Sequence, residues 1–323
     1  MTKQLELQES DYSPAEVKKA YVAILITLFI IGFIPILFRI SESSISPNAT
    51  IFNRLWIPTV VLGLWNGLLV FKGRYSRGVA TQTLENSHAI KLFPDSYNLV
   101  LLLIVAIAFV GFQLLWAWSL TQTSVANSEV LHSVTPLFTT LVGWSLFGQK
   151  FDRLFLIGMA IALIGSIVLA ANDFSITIDK LEGDGLALLS AMSWAINLLV
   201  LEKLRTQLNI LTITTWNCLL GTLFLLPILL LAGDELFPHS WGGWLTVMIL
   251  GVTVILIQTL ITYSLKWLSS GLVATILLLN PIVTAILAWV IFSETLNLLN
   301  WLSLFIILFG IYLATFSKQS VKT

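Results

Sequence analysis

The stretch QLLWAWSLTQTSVANSEVLHSVTPLFTTLVGWSLFGQK, from Gln113 to Lys150, has a counterpart 145 positions later. That counterpart is QTLITYSLKWLSSGLVATILLLNPIVTAILAWVIFSET, from Gln258 to Thr295. Extended without gaps, the match pairs Gln113–Ala170 with Gln258–Thr315 and holds thirteen identities in 58 positions. Leu and Ile matches mean little in apolar helices. Gln113/Gln258, Pro136/Pro281, Trp144/Trp289 and Gly165/Gly310 mean more, because these types are rarer or tied to backbone geometry. The chain reads as two copies of one unit.

Each copy is built of apolar segments. Crossing a hydrocarbon core of ~30 Å takes roughly 20 apolar residues in a helix rising ~1.5 Å per residue. Such segments fall at about 20–38, 54–71, 98–118, 124–147, 153–171, 183–202, 210–232, 243–265, 270–292 and 299–317. The expected fold is an all-α polytopic membrane protein of ten transmembrane helices. Residues 1–19 and 318–323 are tails, 20–171 the first repeat and 183–317 the second. Composition agrees, with 57% hydrophobic and only 11% charged residues, against about 25% charged in a soluble domain. The first span is too long for a signal-peptide core and lacks a small-residue cleavage site, so it is expected to be retained. Tight connections, Gly148 to Asp152 and a turn around Glu294 to Asn297, make their flanking helices antiparallel neighbours.

Lys and Arg mark the cytoplasmic side of short loops. With the N-terminus inside, fourteen of the seventeen lie in inside segments, leaving Arg39, Arg54 and Lys180 outside. An odd helix count would move Lys318 and Lys322 outside, so both termini are expected in the cytoplasm. Five helices per repeat then make the second copy enter from the opposite face. Inverted five-helix repeats recur in secondary transporters, with the substrate near the midplane between them.

These two stretches resemble the paired EamA-type domains of the drug/metabolite transporter superfamily. FNRLWIPTVVLGL (52–64) looks like that family's second helix, and GDGLALLSAMSWAINLLVLEKL (183–204) like its sixth. The resemblance runs from about residue 20 to 317 and implies ten helices, cytoplasmic termini and transport of small metabolites. Gln149 departs from the Glu common at the end of the family's fourth helix, which the second copy keeps as Glu294. The long segment from Lys72 to Tyr97 is a second departure. Because the superfamily spans amino acids, sugars, nucleotides, drugs and organic cations, the resemblance implies an activity class and no particular substrate.

Ionisable groups in hydrocarbon are costly and tend to face an interior or a water-filled path. Glu129, His132, Ser133, Pro136 and Thr140 follow one face of the fourth helix. Glu129 and His132 are expected about 8 and 12 Å below its outer end. They form either a proton-coupling site or a seat for a cationic or amino-bearing substrate. A purely structural pair, reaching a headgroup and a neighbouring helix, is the competing reading. The matching face of the ninth helix is Ala274, Leu277, Leu278, Pro281 and Ala285, so the polar stripe belongs to one half. Ser190, Ser193, Trp194 and Asn197 share a face of the sixth helix. Gln113 with Trp116, and Gln258 with Thr262, mark the third and eighth. All either line a cavity or join helices. Arg54, expected to open the second helix at the outer edge, either attracts an anionic group or snorkels to the interface. Pro136 and Pro281, mid-helix at equivalent positions, are expected as paired hinges. Trp56, Trp241, Trp244, Trp267 and Trp301 suit an aromatic belt, and Asn48-Ala49-Thr50 matches a glycosylation acceptor by chance.

A proton-driven exporter of small metabolites such as amino acids is the leading expectation, with a small-molecule substrate, protons and membrane lipid as partners. A carrier of anionic or phosphorylated metabolites or nucleotide sugars would need more cations than Arg54. No phosphate loop for ATP appears. Glu129 and His132 could act as acid and base, but no nucleophile motif or metal set accompanies them, so no enzyme is expected and no cofactor. The zero net charge gives nucleic acid no handle, and the single Cys218 forms no intramolecular disulfide. Monomer and homodimer both stay open. A bacterial chain would sit in the inner membrane, a plant chain in a plastid envelope.

Overall fold

The structure, a computed structural model, describes residues 14–42, 44–77, 95–123, 125–170, 181–280, 282–283, 286–287 and 298–316. These residues form helices α1 (Pro14–Gly32), α2 (Ile34–Glu42), α3 (Pro47–Arg77) and α4 (Ser96–Gln122). Then come α5 (Val125–His132), α6 (Thr135–Phe147), α7 (Arg153–Ala170), α8 (Leu181–Leu204), α9 (Ile210–Ala232) and α10 (Trp241–Ser264). Helix α11 (Ser270–Ile276) runs into a 3₁₀ turn over Leu277–Leu279, and α12 (Leu298–Thr315) closes the chain. Among the described residues, five stretches are long and apolar enough to cross a membrane: Ser96–Gln122, Ser128–Phe147, Leu181–Leu204, Ile210–Ala232 and Trp241–Ser264. Arg153–Leu169, Ser270–Leu279 and Trp301–Thr315 are shorter apolar helices.

Local sequence sets these boundaries. Asn209 caps α9 by accepting from the Thr212 N–H at 2.8 Å, and Ser240 caps α10 by accepting from Gly243 at 3.0 Å. Gly148 (φ +63°) and Gly233 (φ +69°) end α6 and α9 in the left-handed region, where a Cβ would be strained. The expected first span is split. The chain turns at Phe33, whose N–H donates to the Ile30 carbonyl at 3.2 Å, before α2 begins.

The two repeats interlock. Helix α4 of the first packs most extensively on α8 of the second, and α10 of the second on α1 of the first. Helices α3 and α9 pair with each other, as do α7 and α12. These are the partnerships that two equivalent halves related by an axis between them would make. Backbones meet most closely between α7 and α12, where Gly158 and Gly310 face Ala314 and Ala162. Small residues permit such approach where helices have no apolar driving force to drive them together.

The polarity is inverted relative to a soluble protein. Leu231 is 89% and Leu146 77% exposed, and Val22, Leu25, Ile26 and Phe29 cover the outer side of α1. Inside, buried Thr residues return their hydroxyls to carbonyls one turn earlier, as Thr27 does to Ala23 and Thr139 to Thr135 at 2.8 Å each. Trp267, expected in an interfacial belt, is buried at 7% exposure.

Candidate functional site

A cavity of about 160 Å³ opens where the repeats meet. Helices α1 to α6 supply one part of its wall, and α8, α10, α11 and the 3₁₀ turn supply the rest. Along α4, Phe109, Phe112, Gln113 and Trp116 present one helical face to it. Most of the lining is apolar or aromatic.

Arg54 lies in this wall and is only 7% exposed. Its Nη1 donates to Gln113 Oε1 at 3.1 Å, and its guanidinium sits 5.0 Å from the Phe38 ring centroid. The expectation that Arg54 opens its helix at the membrane edge is corrected: α3 begins at Pro47, seven residues earlier, or about 10 Å along the helix axis. The cation therefore sits about two turns into the helix, at the cavity wall.

Glu129, on α5, accepts from Trp116 Nε1 at 3.1 Å. His132 ends α5 with its ring stacked on Phe112 at 5.2 Å, its Nδ1 lying 3.3 Å from Ser190 Oγ. No hydrogen bond joins Glu129 to His132 among the described residues, so the two act at separate points of the wall. Arg54 and Glu129 also form no ion pair among the described residues.

The fourth-helix stripe keeps Glu129, His132, Ser133 and Pro136 on the cavity and loses Thr140, although the helix breaks. Proline lacks an N–H and its ring crowds the carbonyl of the residue four back. For Pro136 that is His132, and α5 ends there. The His132 carbonyl accepts instead from Thr135 Oγ1 at 2.7 Å. Pro136 thus starts α6 within its first turn rather than bending a continuous helix. Ser133 lines the cavity, yet its hydroxyl donates to the Glu129 carbonyl at 2.7 Å and accepts from Ser166 at 2.8 Å. Thr140 returns its hydroxyl to Pro136 at 2.9 Å, away from the cavity wall.

The second repeat departs from regular helix at the equivalent place. Leu277–Leu279, the counterparts of His132–Val134, tighten into a 3₁₀ turn. Pro281 itself lies outside the described residues, as do Glu294 and the expected turn to Asn297. Asn280 lines the cavity, and its Oδ1 is buried without a hydrogen-bond partner among the described residues. The sequence reading missed it, although the repeat register pairs it with Thr135, another lining residue.

The remaining candidates divide. Trp194 edges the cavity, its ring 4.8 Å from Phe112. Ser193 is instead turned to Gly111 on α4, and Asn197 donates to the Val105 carbonyl at 3.1 Å with no exposure at all. These two join α8 to α4 away from the cavity. Gln113 and Gln258, equivalent in the repeats, both line it. Gln113 Nε2 and both amide atoms of Gln258 are buried without partners among the described residues.

Comparison with known proteins gives this arrangement a context. The EamA-like transporter family profile matches residues 18–171 and 181–316, one copy for each repeat. The chain is 28% identical over 198 residues to the "Uncharacterized inner membrane transporter YedA" of Escherichia coli (strain K12), covering 59% of this chain and 62% of YedA. It is 27% identical over 199 residues to a "Probable amino-acid metabolite efflux pump" of Salmonella typhimurium (strain LT2), covering 58% of this chain and 66% of the pump. The chain thus spans under two thirds of YedA's length. A solved crystal structure shares the fold with a TM-score of 0.74 at 16% identity, covering 92% of this chain and 97% of the other. With two family repeats, an apolar exterior and a polar-edged cavity between the halves, the chain is an integral membrane protein that belongs to the EamA-like transporter family.

Proposed function

We propose that this protein is a secondary active transporter, a proton-coupled exporter of small metabolites such as amino acids. It spans the membrane ten times with both termini in the cytoplasm and exposes its cavity alternately to the two sides as its inverted repeats rock. The observation that carries this reading is the cavity between the repeats, with Glu129 on one wall and Arg54 on another. The departures from regular α-helix at His132–Thr135 and Leu277–Leu279, at equivalent positions beside that cavity, support hinge motion there. The printed name of the Salmonella relative supports amino-acid export, and YedA's supports an inner-membrane home. Glu129 is the coupling group: a carboxylate in a wall shielded from water can carry a proton across in one step of the cycle.

A carrier of phosphorylated metabolites or nucleotide sugars fits less well. Among the described residues of the cavity wall, Arg54 is the one guanidinium or ammonium group, and a phosphate carrying about two charges needs more. The test compares cytosolic and medium metabolites in cells overproducing wild type or Glu129→Gln at matched membrane levels. Compounds accumulating outside only with wild type support proton-coupled export through Glu129. Equal export by the variant removes the coupling role, and unchanged pools with both proteins remove the exporter reading.

A further inference from the structure

Two opposite charges face one cavity without neutralising each other. Arg54 and Glu129 both line it, Arg54 buried and Glu129 partly buried, and no ion pair joins them among the described residues. A buried charge is retained at a cost unless a partner compensates it. Here the wall holds the two apart. Phe38 lies beneath the Arg54 guanidinium at 5.0 Å and meets the Trp116 ring edge-on at 6.3 Å. Trp116 in turn holds Glu129.

Both charged groups are held by residues of α4. Gln113 holds Arg54 and Trp116 holds Glu129, and these two residues stand at i and i+3. Such neighbours are about 5–6 Å apart at Cβ. The cation and the carboxylate are therefore both held from one face of α4. An α-amino acid carries an ammonium and a carboxylate on one carbon, so it offers a partner to each of the two groups at once.

Further polar atoms at the cavity are unspent. Arg54 Nε, Gln113 Nε2 and Gln258 Nε2 are buried without partners among the described residues, and all three are donors. Gln113 and Gln258 are 4% and 2% exposed and come from opposite repeats. A carboxylate, with two oxygens and several lone pairs, can take donors from both. On the acid side, one Glu129 oxygen is committed to Trp116 and the other accepts no bond among the described residues. Most of the rest of the wall, including Phe112, Trp194, Ile257 and Leu278, is apolar or aromatic, with His132, Ser133, Thr135 and Asn280 as its polar members.

We propose that this cavity is a zwitterion site. Arg54, with Gln113 and Gln258, seats the α-carboxylate, Glu129 seats the α-ammonium, and the aromatic wall takes an uncharged apolar side chain. The ligand class is thus a neutral α-amino acid with an apolar side chain. This assignment rests on the carrier reading for its transport consequence, but not for binding.

The test uses the purified full chain. Heat stabilisation in detergent reports binding, and release from loaded liposomes reports flux. The probes are L-phenylalanine and L-leucine, with N-acetyl-L-phenylalanine, L-phenylalaninamide and phenethylamine each lacking one charge. Wild type is expected to bind and move both amino acids at least tenfold better than any of the three derivatives. In Arg54→Gln the preference for phenylalanine over its amide should fall at least tenfold. In Glu129→Gln the preference over the N-acetyl form should fall likewise, in variants whose elution and melting show a folded chain. Derivatives accepted as well as phenylalanine overturn the zwitterion site and leave the carrier reading standing. Amino acids that bind with this preference but do not cross retire the carrier reading and keep the site. Neither binding nor flux of either amino acid overturns the site.

Discussion

Substituting Gly310 by alanine probes the close backbone contact between α7 and α12. A Cβ built there would stand 2.4 Å from the Ala162 nitrogen and 2.6 Å from the Gly158 carbonyl oxygen, where ordinary contact begins at 3.4 Å. Both neighbours are backbone, so no side chain can rotate out of the way. Helices α7 and α12 must part by about an ångström at the crossing, and such a gap forfeits a quarter to half of each dispersion contact near it. Inserting one carbon into a packed interior costs about 1–3 kcal/mol, and a backbone-on-backbone clash belongs at the upper end, about 2–3 kcal/mol. Gly63 on α3 is the control, since nothing lies within 4 Å of a Cβ there. Alanine at that position should be neutral, or stabilising by about 0.5–1 kcal/mol through lower backbone entropy in the unfolded chain. Reversible unfolding of the purified chain in mixed detergent micelles, followed by circular dichroism, measures both. A Gly310→Ala loss below about 0.5 kcal/mol, or an equal loss at Gly63, would refute the close crossing of α7 and α12.

Three further outcomes follow from particular contacts. Gln149 Nε2 donates to Glu202 Oε2 at 3.1 Å, and the Ser270 N–H donates to the same oxygen at 3.0 Å, joining α8 to the chain after α6 and to α11. Gln149→Glu sets two carboxylates together and should cost about 1–2 kcal/mol; a variant as stable as the wild type would sink this account. Asn197→Ala should lower stability by about 1 kcal/mol through the lost bond to Val105 while leaving the substrate KM unchanged, whereas a several-fold KM change would return Asn197 to the site. Near the start of α1, the Glu16 carboxylate is held below the usual range by hydrogen bonds from Lys19 and then from the Tyr263 hydroxyl. A depressed folded pKa gives stability that is present above the unfolded value and lost as pH falls through the folded one, so Tyr263→Phe should flatten the acid limb of the melting curve below about pH 4.5; an unchanged limb would exclude the tie.

The repeat, the helical class and several boundaries were legible in the residues. Span length and apolar composition are one-dimensional properties, so the 210–232 span matches α9, and the Gly148–Asp152 connection falls between α6 and α7. The internal match of Gln113–Ala170 with Gln258–Thr315 pointed to two equivalent units, and the family profile divides the chain the same way. The reading faltered where a residue's position depends on its neighbours' backbone. Arg54 looked like an interfacial residue because hydropathy falls off before it, but α3 extends back to Pro47 on polar residues that bond across helices, such as Asn48 to Asp234 at 2.9 Å.

What sequence alone determined is the set of chemically capable groups. Glu129, His132, Arg54, Gln113, Trp116, Trp194 and Gln258 stood out because polar and aromatic side chains in an apolar chain must face something other than lipid. Tertiary structure decided which of them meet. The break before Pro136 turns Thr140 away and leaves Glu129 and His132 on the cavity; close packing of α4 on α8 assigns Ser193 and Asn197 to the joint; and the 3₁₀ turn brings Asn280 to the wall. Helical spacing places residues on a face of one helix, but which face meets a void is settled only by how the other helices pack around it.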